Sequence, residues 1–77
     1  MTFTTEEQRR ILDALRGGAR ACEGSGRFAI WWGFRRGTFF SEVADFDPDE
    51  HILDEQGILA AMAGHPDSFR ELLVAAT

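Results

Sequence analysis

Apolar residues recur at helical spacing from the start of the chain. Ile11, Leu12, Leu15, Ala19 and Cys22 fall on one stripe of an α-helix. Thr4 precedes that stripe, and Glu7 follows it at capping-box spacing. Glu6 and Glu7 also suit the positive end of the helix dipole. Gly17-Gly18 interrupts, and each glycine costs a helix interior roughly 1 kcal/mol against alanine. The stripe nevertheless passes through the pair without a change of phase. The pattern therefore predicts one helix over about residues 5–23, with a stop at Arg16 as the competing reading. Glu23-Gly24-Ser25-Gly26 reads as a flexible turn.

The period then changes from helical to alternating. Residues 28–34 and 38–46 are rich in aromatic and β-branched side chains and read as two strands. Arg35-Arg36-Gly37 joins them, and glycine there suits a positive φ in a tight hairpin turn. Phe28, Ile30, Trp32 and Phe34 share one face, apolar throughout, which is the expected core face. Ala29, Trp31, Gly33 and Arg35 share the other. A two-residue turn at Arg36-Gly37 sets Phe34 opposite Phe39, Trp32 opposite Ser41, Ile30 opposite Val43 and Phe28 opposite Asp45. A bulged turn would instead bring Glu42 onto the core face, at a cost of several kcal/mol for an unpaired buried charge. The first register is expected.

Asp47-Pro48-Asp49-Glu50 reads as a helix start, with Asp47 as cap and Pro48 in the first turn. Ile52, Leu53, Leu59, Met62 and Ala63 supply an imperfect apolar stripe, and Gly64 is the expected stop. A last helix beginning near Pro66 or Asp67 would bury Phe69, Leu72 and Leu73. The predicted fold is a single α+β domain, residues 1–77. Its order is helix, β-hairpin, helix, helix, with a two-stranded antiparallel sheet packed on the helices.

The chain has 77 residues, of which 44% are hydrophobic and 27% charged, a globular composition rather than a disordered one. At this size a single core gives only a few kcal/mol of stability. The single cysteine, Cys22, excludes an internal disulfide and reads as a small buried hydrophobe on the first helix. No leader pattern and no membrane-length apolar run is evident, so a cytoplasmic location is expected.

The net charge is −5 and unevenly placed. Residues 27–40 carry Arg27, Arg35 and Arg36 and no acid. Residues 41–55 carry Glu42, Asp45, Asp47, Asp49, Glu50, Asp54 and Glu55 and no base. That run disfavours direct nucleic-acid binding, which needs cations facing phosphates. Asp45, Asp47 and Asp49 alternate like the opening of a calcium loop. The pattern then fails, with Glu50 where the loop needs glycine and Gln56 where it needs a bidentate acid. His51 and Glu55, four apart on the predicted helix, are too few for a metal site. His65 before Pro66 reads as a turn or cap residue. No phosphate loop, dinucleotide fingerprint, zinc spacing or nucleophile elbow is present, so neither enzyme nor cofactor is expected.

Two surfaces remain for function. One is an aromatic patch on the second hairpin face, Trp31 and Phe40 with Arg35 and Arg36 at the tip. Either a helix covers it, or it contacts a partner, since Trp, Phe and Arg are enriched at interfaces, or, as the least favoured reading, it stacks a ligand or nucleobase. The other is the acidic surface, Glu42, Asp45, Asp49, Asp54 and Glu55, which suits a partner protein with a basic, nucleic-acid-handling surface. In size and charge the chain resembles small phage inhibitors that mimic nucleic acid. The expected function is therefore a non-enzymatic protein-binding or inhibitory protein. The alternative is a small assembly protein dimerising through the hairpin, and a small enzyme or ligand-binding domain ranks third.

Overall fold

The structure, a computed structural model, describes residues 3–43 and 51–75. Helix α1 (Thr5–Arg16) is followed by strand β1 (Ala21–Glu23) and a single 3-10 turn at Gly26–Phe28. Strands β2 (Ile30–Arg35), β3 (Thr38–Val43) and β4 (His51–Leu53) come next, and helices α2 (Glu55–Gly64) and α3 (Pro66–Ala75) close the chain. The four strands form one antiparallel sheet in the order β1-β2-β3-β4.

The capping box forms as the sequence indicates. Glu7 N–H donates to Thr4 Oγ1 at 3.1 Å, and Thr4 N–H donates to Glu7 Oε1 at 2.9 Å. The helix ends at Arg16, which corrects the expectation that it runs on to residue 23. Gly18 takes φ 108°, Ala19 N–H reaches back to the Ala14 carbonyl at 3.0 Å, and Gly18 N–H reaches Leu15 at 3.0 Å. This pair of bonds is a Schellman termination, which needs the left-handed conformation glycine adopts without strain. The helical spacing of Ala19 and Cys22 was a coincidence of phase. Chain reversal at Gly18 sends residues 21–23 back as an edge strand on β2.

The hairpin has the expected register: Phe34 faces Phe39, Trp32 faces Ser41 and Ile30 faces Val43. Arg36 and Gly37 both have positive φ, 57° and 82°, a type I′ turn whose twist matches that of the strands. Asp45, the partner expected for Phe28, lies outside the described residues.

The sheet has four strands rather than two. The three-residue strands β1 and β4 flank the hairpin, pairing with residues 30–32 of β2 and 39–41 of β3. His51 and Ile52 belong to β4 and not to a helix, and the second helix starts later than expected. Asp54 is its cap, accepting a 2.8 Å hydrogen bond from Gly57 N–H. The cap expected at Asp47 lies outside the described residues. Asp54→Ala is expected to cost about 1 kcal/mol, the usual value of such a cap, measured as a lower urea midpoint with unchanged slope. Gly64 ends α2 and α3 begins at Pro66, both as read from the sequence.

All three helices pack on one face of the sheet. Ile11, Leu12 and Leu15 of α1, Ile58 and Met62 of α2, and Phe69 and Leu72 of α3 meet Phe3, Ala21, Trp32 and Phe39 in one core. Trp32 is 4% exposed, its indole 4.7 Å from the His65 ring and 5.1 Å from Phe69. His65 Nδ1 lies 2.6 Å from Glu23 Oε1, tying the α2–α3 junction to edge strand β1. Phe28, placed on the core face by alternation, is 70% exposed because the 3-10 turn lifts it off the strand. No described helix is long and apolar enough to cross a membrane.

Candidate functional site

Alternation puts every second residue of the sheet on the face away from the helices. Two rows of that face follow from the register. Cys22, Trp31 and Glu42 form one, and Gly33, Phe40 and Ile52 form the other. No residue of either row belongs to the helix-packed core. A covering helix, one of the three readings for Trp31, is therefore not what buries it among the described elements. Trp31 is half-buried by its neighbours in the sheet.

Phe40 is only 2% exposed although no described helix covers it. Two arginines take that role. The Arg35 guanidinium carbon sits 4.5 Å from the Phe40 ring centroid, and that of Arg20 sits 5.8 Å from it. Their stems shield the ring while their charges stay in water, the usual compromise for long cationic side chains. Gly33 makes the arrangement possible. A Cβ there would stand 2.9 Å from Phe40 Cζ and 3.5 Å from Arg20 Cγ, so the ring and the arginine stem occupy the volume of the missing side chain. Arg20 also reaches Glu42, Nη1 to Oε1, at 4.0 Å. Sequence reading missed Arg20 because it counted the residue as helical. Had the helix been stopped at Gly17-Gly18, alternation would have placed Arg20 with Cys22 on this face.

The predicted site residues thus divide into three sets. Trp31, Arg35, Phe40 and Glu42 share the helix-free face, and Arg36 stands exposed in the turn at its end. Asp54 and Glu55 lie at the start of α2, in the helix layer. Asp54 is occupied as a cap, and Glu55 Oε2 is 4.0 Å from Arg16 Nη2. Asp45 and Asp49 lie outside the described residues. Among the described acids of the predicted set, Glu42 stands directly across from Trp31, while Asp54 and Glu55 lie apart from the aromatic patch.

Cys22 sits on the helix-free face, half-buried beside Trp31, with Sγ 3.9 Å from the Gly24 carbonyl. This corrects its placement in a buried helix stripe. Glu23, the His65 partner, faces the helix side, so Cys22 and His65 lie on opposite faces of β1 and cannot act as a nucleophile–base pair. The His51–Glu55 pair does not form on a helix, because His51 is in β4. Among the described residues no group of three or more His, Cys, Asp or Glu is placed to hold a metal ion.

A groove of about 240 Å³ runs between α1 and α2, lined by Leu12 and Leu59 with Gln8, Arg9, Arg16 and Glu55 among its rim. Its charges answer one another within the chain. Arg9 pairs with Glu6, and Arg16 pairs with Asp13 at 3.5 Å and with Glu55. That leaves the groove little polar chemistry to offer a ligand.

No protein-family model matches this chain, and no curated protein and no solved structure matches it.

Proposed function

We propose that this chain is a non-enzymatic protein-binding protein of the inhibitory type, and that its contact surface is the helix-free sheet face. One observation carries the reading. A tryptophan stays half-buried on a sheet face without helix cover, directly across from a carboxylate, while Ile52 on the same face is 68% exposed. Indole and carboxylate side by side suit a guanidinium, by cation–π attraction and charge-assisted hydrogen bonding, and a partner's guanidinium would share Glu42 with Arg20, whose Nη1 lies 4.0 Å from it. The partner is accordingly a protein with a basic, arginine-bearing surface. The acid-rich stretch 41–55 adds long-range attraction that speeds encounter. A nucleic-acid-handling protein is the specific version, because such proteins carry basic surfaces.

The test is capture from a lysate of the source cells by three immobilised forms: the wild type, Trp31→Ala, and a charge-reversed Glu42→Lys/Asp45→Lys/Asp49→Lys form. Asp54 is left intact because it caps α2. The wild type should retain a basic protein, and elevated salt should release it. Trp31→Ala should weaken retention at least about tenfold, as for an interface anchor. Equal retention by all three folded forms would sink the reading.

A further inference from the structure

We infer that Arg20 is a built-in competitor at the contact face: its guanidinium holds Glu42 in the free protein and yields that carboxylate when a partner's arginine arrives. The inference rests on the reading of that face as a contact surface. It names the residue that sets how tightly the face takes a guanidinium.

The position of Arg20 follows from the register. Ala21 pairs with Trp32, and Gly33 pairs with Phe40, so Arg20 is level with Gly33 and Phe40. Glu42 stands on β3 in the next row, across from Trp31. A side chain reaching from Arg20 to Glu42 must therefore cross β2. Gly33 leaves the way open, because no side chain stands on the strand there. Arg20 Cγ lies 3.5 Å from where a Cβ of residue 33 would be, and Arg20 Nη1 ends 4.0 Å from Glu42 Oε1.

The two arginines over Phe40 thus differ. The Arg35 guanidinium carbon is 4.5 Å from the ring centroid, while that of Arg20 is farther out at 5.8 Å, its Nη1 within ion-pair distance of the carboxylate. An aromatic ring, a carboxylate and a guanidinium already meet here within one chain. These are the same groups that the proposed complex brings together.

The hold of Arg20 on Glu42 is weak. Their side chains are 48% and 31% exposed, and 4.0 Å is beyond hydrogen-bond reach. Water screens such a pair, so it changes an equilibrium by only a few-fold. A second guanidinium at the same carboxylate repels the first. Arg20 can turn its charged end aside while its Cγ stays packed over Gly33. The competitor therefore lowers affinity without closing the site.

The test is a nuclear magnetic resonance titration of the pure protein with the peptide acetyl-Gly-Arg-Gly-amide. The signal followed is the Trp31 indole N–H, assigned by its loss in Trp31→Ala. Arg20→Met removes the charge and keeps an unbranched stem beside Phe40. It should bind the peptide about two- to fivefold more tightly than the wild type, the scale of an exposed ion pair. Glu42→Gln should bind it more weakly. In the Glu42→Gln background Arg20→Met should add little, because the contested carboxylate is gone. Arg10→Met makes the same change in net charge from α1, on the other side of the sheet, and should bind like the wild type. Circular dichroism melts establish that each variant is folded.

Equal affinities for Arg20→Met and the wild type overturn the inference. So does an equal gain in the Glu42→Gln background, an equal gain from Arg10→Met, or an indole signal that the peptide moves in neither the wild type nor Arg20→Met. The two readings fail separately. Peptide binding that weakens in Glu42→Gln and does not tighten in Arg20→Met, with partner capture that depends on Trp31, keeps the contact function and loses the competitor. A gain in Arg20→Met that requires Glu42, with partner capture that ignores Trp31, keeps the competitor and loses the contact function.

Discussion

Trp32→Ala is expected to cost about 3–5 kcal/mol, the range for truncating a large buried aromatic. A single core of this size supplies about 3–5 kcal/mol in total, so the variant should be largely unfolded at 25 °C. Trp32 is 4% exposed and packs on both the His65 ring and Phe69, so its loss opens the seam between β2 and α3. Trp31→Ala, one residue away, should cost only about 1–2 kcal/mol, because a half-buried side chain forfeits less apolar burial and leaves no enclosed cavity. Urea melts followed by circular dichroism measure both. Similar losses for the two tryptophans would mean that Trp31 is also a core residue, and the contact reading of its face would then fail. The adjacent pair is thus explained by strand alternation, with one indole closing the core and the other left on the open face.

His65→Ala should cost about 1 kcal/mol as well, through the lost hydrogen bond to Glu23 and the ring contact with Trp32. Glu23→Gln keeps an acceptor on the Nδ1 side and should retain most of that stability. Thermal melts of the two variants separate the packing contribution from the polar one.

The hairpin was legible in the sequence because several local rules agreed on it. Arg36-Gly37 supplies the turn, alternation supplies the faces, and the cost of burying Glu42 selects the register. The flanking strands were not legible. Ala21-Cys22-Glu23 and His51-Ile52-Leu53 are too short for a two-residue period to show, and both exist because a neighbouring strand offers them hydrogen bonds. Cys22 happened to continue a helical stripe, so the glycine pair was read as a bend when Gly18 in fact reverses the chain. Asp47-Pro48 reads as the start of the helix that was to hold Ile52 and Leu53, and the described helix α2 is capped by Asp54. Residues 51–53 pair with β3 instead, a tertiary fact that no local propensity carries.

The candidate site was legible only in part, for the same reason. Trp31, Phe40, Arg35 and Glu42 could be grouped from alternation alone. Whether a helix covered them depended on the helices choosing one face, and the stripe of α1 cannot say which side of the sheet it meets. Arg20 escaped notice because its role depends on where α1 ends. Asp54 and Glu55 looked like members of an acidic surface, yet they sit in the helix layer as a cap and an Arg16 neighbour.

Gly33→Val carries the other large effect and tests the outer face directly. A Cβ at this position would lie 2.9 Å from Phe40 Cζ and 3.0 Å from Cε1, closer than carbon atoms approach without displacement. The valine methyls would extend that overlap toward the Arg20 stem. The ring cannot sink into the sheet, so it must tilt outward and push Arg20 and Arg35 away from its surface. Overpacking of this kind costs about 1–3 kcal/mol, against which the β preference of valine over glycine returns at most about 1 kcal/mol. Gly33→Val should therefore lower the thermal midpoint by several degrees, since 1 kcal/mol moves a domain of this size by about 4–8 °C. A double-mutant cycle identifies the cause. With Phe40→Ala in the background the obstacle is gone, and Gly33→Val should become neutral or stabilising. An equal penalty in both backgrounds would show that the glycine is required by something other than the Phe40 ring. The cation-covered aromatic on the helix-free face would then no longer account for it.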